Sequence, residues 1–170
     1  RFRFVVSALV VMVFGFNTLE VGLRAIRMGV VPTVLGFRDE QAFLADHLGW
    51  LSPAMKAIRE LPGNSRVLML WEPRNLYCAP QCEPDEIIDR WLRERYENAP
   101  AAPRPPAEIL ETSRKNGYTH LLFYKNGADF LRQQDPNYTL DDWLALDALL
   151  GQLGSGENFG DTYILYPLSQ

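Results

Sequence analysis

The feature that most constrains this chain is the run from Phe4 to Phe16, FVVSALVVMVFGF, in which only Ser7 and Gly15 interrupt apolar side chains. A run with no polar face cannot sit on the surface of a water-soluble domain, because an amphipathic helix needs one side for water. Thirteen helical residues span about 20 Å, short of the roughly 30 Å hydrocarbon core of a bilayer. Continuing through Asn17, Thr18, Leu19, Glu20, Val21, Gly22 and Leu23 supplies the missing length and puts Asn17 and Glu20 near an interface. The sequence therefore predicts a membrane-spanning helix over residues 1–28, contacting lipid and other membrane helices. Glu20, Arg24 and Arg27 follow the run where a secretory signal would carry small residues. The chain opens on Arg1 rather than Met, and it reads as a piece of something longer.

Orientation is less constrained. Arg1 and Arg3 flank one end of the run and Arg24 and Arg27 the other, so the positive-inside rule is balanced. Beyond Gly36 there are 13 Lys/Arg and 20 Asp/Glu, a balance of -7. That acidity permits translocation and argues against nucleic-acid binding, which needs concentrated basic side chains.

The remainder alternates helices and strands. After a linker over residues 29–37, Asp39 to Leu48 has helical character, and Ser52-Pro53 gives an N-cap and first-turn signal for a helix ending at Pro62-Gly63. Arg66 to Trp71 is a continuous apolar run suited to a strand buried on both faces, and Leu76-Tyr77-Cys78 offers a short edge strand. Asp85 to Tyr96 reads as an amphipathic helix with Ile87, Ile88, Trp91, Leu92 and Tyr96 inward. Twelve prolines, several between residues 98 and 106, mark a stiff connection. Pro106 to Asn116 is a further helix closed by Gly117, and Tyr118 to Tyr124 is a second buried strand. A short helix over Asp129 to Gln133 follows, then a capping box from Thr139 to Asp142, and a last strand over Thr162 to Tyr166. The expected fold class is α/β: one transmembrane helix followed by a small Rossmann-like domain over residues 38–170.

The candidate chemistry is sparse. The strand ending in Trp71-Glu72-Pro73-Arg74 lacks the glycine-rich turn that lets a pyrophosphate approach a helix, so no nucleotide cofactor is expected. Cys78 and Cys82 in CAPQC suit a disulfide in an oxidising compartment, with two free thiols as the alternative. A metal site would need further ligands, and the only histidines, His47 and His120, lie far apart in sequence. Haem attachment needs a C-x-x-C-H pattern, which is absent, and a redox pair normally has two intervening residues. The acidic groups Glu83/Asp85/Glu86 and Asp141/Asp142 fall in the first turns of expected helices, where they favour the helix dipole. No catalytic constellation is expected. Ligands of open α/β sheets bind beyond the carboxyl ends of strands, which nominates Glu72, Arg74, Lys125 and Asn126 as contacts for a ligand or partner.

The order of features resembles the C-terminal end of multi-spanning membrane glycosyltransferases of the GT-C class, the dolichyl-phosphate-mannose–protein-mannosyltransferase-like enzymes that use lipid-phosphate-linked sugars. The segments that carry the resemblance are FRDEQAFLADHLGW, AMKAIRELPGNSRVLMLWE, NGYTHLLFY and the terminal ILYPL. The resemblance implies a small domain on the periplasmic or extracellular side of the cell membrane, after a last span. In that class catalysis depends on acidic residues of an early loop, so no catalytic residue is carried over to this chain. The expected function is a non-catalytic, membrane-anchored terminal domain. The alternative is a single-span accessory or scaffold subunit of a respiratory or photosynthetic electron-transfer complex.

Overall fold

A computed structural model describes residues 2–97 and 102–168. Arg1, the first part of the proline-rich connection at 98–101 and residues 169–170 lie outside the described residues. The chain divides into two compact units, Arg1–Gly49 and Trp50–Gln170.

The first unit holds α1 (Phe2–Arg27), α2 (Val30–Val34) and α3 (Glu40–Leu48). At 26 residues α1 is about 39 Å long, enough to cross a bilayer, and none of its side chains is buried by protein. Asn17, Glu20 and Arg24 make their polar contacts within the helix itself. Asn17 Nδ2 donates to the Val13 carbonyl at 2.9 Å, and Arg24 lies 3.5 Å from Glu20. Asp39 caps α3 by accepting from the Ala42 amide. The division after Gly49 groups α3 with α1 and α2.

The second unit is a mixed five-stranded sheet with helices. It contains α4 (Leu51–Glu60), β1 (Val67–Leu70), β2 (Cys82–Glu83), α5 (Arg90–Tyr96), α6 (Pro106–Lys115), β3 (His120–Tyr124), α7 (Lys125–Gln134), α8 (Leu140–Leu153), β4 (Glu157–Phe159) and β5 (Tyr163–Pro167). The strand order is β2-β1-β3-β5-β4. β1 runs parallel to β2 and β3, whereas β5 is antiparallel to β3 and to β4. Three strands, β2-β1-β3, thus follow the parallel α/β pattern, and β4 and β5 form an antiparallel hairpin beside β3.

Strand alternation divides the core. Leu68, Leu70, Leu121, Phe123 and Tyr166 join one cluster with Trp91, Ile109, Leu110, Leu146 and Leu149 of α5, α6 and α8. Val67, Met69, Leu122 and Leu165 alternate with them and so turn to the opposite face, and they too are buried. Leu51, Ala54, Met55 and Ile58 give α4 its buried stripe, and α4 contacts β4 and β5.

Four local expectations need correction. Residues 76–80 form turns instead of an edge strand, and the strand beside β1 is Cys82–Glu83. Cys78 and Ala79 donate their amides to the Asn75 carbonyl, which winds that segment away from the ladder. The helix expected from Asp85 begins only at Arg90, so Ile87 and Ile88 are exposed rather than inward, and Tyr96 is partly exposed at the other end. Helix α4 starts at Leu51, with Pro53 inside its first turn where a missing amide costs nothing. α7 begins directly at the end of β3 rather than at Asp129.

Candidate functional site

The chain leaves β1 for β2 on one side, and β3 lies on the other. The carboxyl ends of β1 and β3 therefore flank the crevice in which ligands of open α/β sheets bind. Here Trp71 and Glu72 fill the part next to β1, and an open groove remains beside Tyr124 at the end of β3.

Trp71 follows β1 with φ 62, a left-handed conformation rarely adopted by a bulky residue. It is 1% exposed, its amide donates to Asp85 Oδ2 at 3.0 Å, and its Nε1 donates to the Tyr138 hydroxyl at 3.1 Å. The indole packs against Phe123 and Trp143. Gly127 allows α7 to close over this ring: a Cβ there would lie 2.9 Å from Trp71 Cβ and 2.7 Å from the Tyr124 ring.

Asp85 corrects the dipole account of the acidic cluster. Its carboxylate is fully buried, and it accepts amides from Trp71 and from Arg90, linking the end of β1 to the start of α5. Glu83 lies in β2, where it holds the Arg90 guanidinium at 3.0 Å and accepts from the Tyr118 hydroxyl. Burial raises the pKa of Glu83, but hydrogen bonds from Tyr118 and Arg90 outweigh it and leave the carboxyl below its ordinary value. Asp142 behaves as the sequence predicts: Thr139 and Asp142 form a reciprocal capping box at the start of α8. It also binds Arg95 and the Tyr96 hydroxyl, while Asp141 pairs with Arg95 at 2.5 Å.

Glu72 and Arg74 meet. Glu72 is fully buried, and Oε1 accepts from the Arg74 amide at 2.9 Å and from Arg74 Nε at 2.7 Å. Oε2 accepts from Arg74 Nη2 at 2.7 Å and from the Tyr163 hydroxyl at 2.6 Å. Arg74 Nη2 donates to the Tyr163 oxygen as well, at 2.9 Å. The hydrogen bond to Glu72 leads the causes that hold Arg74 more firmly protonated than usual; burial, then the same carboxylate, pushes the Tyr163 hydroxyl up. Four donors occupy the Glu72 carboxylate, so a ligand would have to displace one of them. A carboxylate so engaged is a poor general base. The network instead ties the loop after β1 to β5.

Lys125 and Asn126 stand apart from that network. Lys125 opens α7, donates its amide to the Thr162 carbonyl and places Nζ 3.8 Å from Asp161. Asn126 is exposed and lines a neighbouring groove. Neither makes a hydrogen bond or ion pair with Glu72 or Arg74 among the described residues. Sequence reasoning missed Trp71, Asp85 and Tyr163. Tyr163 was visible only as one residue of a strand, and nothing local marks it as the partner of Glu72.

Cys78 and Cys82 are joined by a disulfide, with Cα atoms 5.6 Å apart. The Ala79–Pro80 bond within the loop is cis. Cys82 opens β2, and Gln81 accepts from the Val67 amide, so the bridged loop delivers the chain to the sheet edge. Among the described residues no three His, Cys, Asp or Glu side chains gather in a way that could hold a metal.

Comparisons against family models, curated proteins and solved structures each return no match to this chain.

Proposed function

We propose that this chain is the membrane-anchored, non-catalytic terminal domain of a glycosyltransferase-like membrane protein, lying on the periplasmic or extracellular side. The observation that carries the reading is the filled end of β1. Trp71 occupies the position where an α/β sheet would admit a ligand, and Glu72 spends its lone pairs on Arg74 and Tyr163. The parallel trio β2-β1-β3 supports a Rossmann-like ancestry for the sheet, to which the β4–β5 hairpin is an addition. The buried disulfide supports an oxidising compartment. A span of this length with no protein-buried residue supports lipid and neighbouring membrane helices as the partners of α1.

Two measurements test this. The purified chain, reconstituted with a lipid-phosphate-linked sugar donor, should transfer no sugar; transfer abolished by Glu72→Gln would overturn the non-catalytic reading. A cysteine introduced at exposed Ser155 should react with a membrane-impermeant maleimide in intact cells. Labelling only after permeabilisation would place the domain in the cytoplasm.

A further inference from the structure

Tyr124 stacks on Tyr163 and also lines an open groove of about 630 Å³ beside the Glu72 network. The groove's exposed apolar side chains are Ile87 at 67%, Phe130 at 64% and Ile88 at 40% of full accessibility. Exposed singly, such residues need no explanation, but three of them lining one concave surface do. Their presentation is fixed. Asp85 anchors the turn from both sides, Ile88 donates its amide to the Asp85 carbonyl, and Ile88 holds φ 59. A β-branched residue in that region is a backbone outlier, and such outliers persist only where the surroundings impose them. Gly127 keeps α7 close enough to Trp71 for the other wall.

The charged residues lining the groove are Asp89 and Asp135, with no Lys or Arg among its lining side chains. Asp89 Oδ1 is shielded from solvent and has no hydrogen-bond partner among the described residues. Arg93 Nε forms a loose ion pair with it at 3.9 Å, beyond hydrogen-bond distance, and the Asp89 side chain is 43% exposed. An apolar floor with an acidic rim repels anionic headgroups and complements a cationic group on an apolar stem. We propose that this groove docks a peptide segment of a protein partner in which Lys or Arg is flanked by apolar side chains. The segment's cation competes with Arg93 for the exposed part of the Asp89 carboxylate and meets Asp135 at the oxygen that Asn137 does not occupy, and its apolar neighbours cover Ile87, Ile88 and Phe130. This inference rests on the groove alone and survives if the glycosyltransferase reading fails.

The test uses the full chain in nanodiscs of zwitterionic phosphatidylcholine and two fluorescent peptides of one Leu/Ala framework, one bearing Lys and the other Glu. The Lys peptide should bind saturably and about tenfold more tightly than the Glu peptide, a difference that shrinks with salt. Asp89→Asn should weaken the Lys peptide about fivefold and Phe130→Ser about tenfold, within the range for rim charges and apolar anchors. Asp147→Asn and Leu144→Ser, exposed positions outside the groove, should leave binding unchanged, with circular dichroism confirming the fold of all four variants. Equal binding of the two peptides, equal losses in the control variants, or the same signal from empty nanodiscs would each overturn the proposal.

Discussion

Helices α1 and α8 are both rich in aliphatic residues, yet they have opposite environments. α8 buries Trp143, Ala145, Leu146, Leu149 and Leu153 and turns Asp141, Leu144 and Asp147 outward. α1 is apolar around its whole circumference over the first thirteen residues of its run, and protein buries none of it. The difference lies in period: a one-sided stripe asks for a sheet to cover it, whereas an all-round apolar surface asks for a different solvent. It follows that the folding energy of this chain in a membrane mimetic resides in the sheet-bearing unit. That statement can be attacked at several points.

The largest effect is expected at the buried carboxylate. Arg74→Met strands the Glu72 charge in the interior and should cost about 3–5 kcal/mol in denaturant unfolding of the full chain in detergent. Glu72→Gln should cost less, because Arg74 is half exposed and can turn to water. If the two variants lose the same stability, the asymmetry drawn from burial is wrong.

Next come paired leucines. Leu146→Ala, at a fully packed site, should destabilise by about 2–5 kcal/mol, the usual range for such a cavity. Leu9→Ala in α1 should leave the same unfolding transition within about 0.5 kcal/mol. A comparable loss from Leu9→Ala would mean that α1 packs on protein.

A smaller effect is expected from the disulfide. Replacing Cys78 and Cys82 together by Ser should cost about 2 kcal/mol by the chain-entropy estimate for so short a loop. Mass spectrometry of unreduced, thiol-blocked protein should find neither wild-type cysteine alkylated; two alkylated cysteines would contradict the bridge.

The smallest effect is confined to high pH. Burial, aided by the bond to Glu83, pushes the Tyr118 hydroxyl up to about 12, and burial does the same for Tyr138. Because the folded values lie above the unfolded value near 10, the stability they contribute is intact below that pH. It should then fall as the pH rises toward about 12. Ultraviolet titration of the tyrosines should show this delay, and Tyr138→Phe should reduce it. The unit containing α1 has no tyrosine, so the whole effect belongs to the sheet-bearing unit.

The elements legible in the sequence are those with a long or self-contained signal. The apolar run marks α1, continuous apolar stretches mark β1 and β3, and the Thr139/Asp142 spacing marks the start of α8. The illegible ones are short and borrow their definition from elsewhere. β2 is two residues long and exists because Val67 and Leu68 pair with it. β4 is three residues long and is set by its pairing with β5. The helical pattern from Asp85 was real as a pattern, but a tertiary bond overrode it: once Asp85 accepts the Trp71 amide, the backbone from Glu86 to Asp89 is committed to a turn.

The sequence by itself thus determined that one segment is long and apolar enough to span a membrane, that an α/β unit follows, and that two nearby cysteines can bridge. These follow from local periodicity and spacing, which a chain carries wherever it folds. Only the tertiary structure decided that Glu72 is closed off by Tyr163, 91 positions away, and that Ile87 and Ile88 face a groove rather than a core. Hydrogen bonds and burial between distant segments have no local pattern. A carboxylate in the sequence looks the same whether folding gives it four donors or leaves it to water.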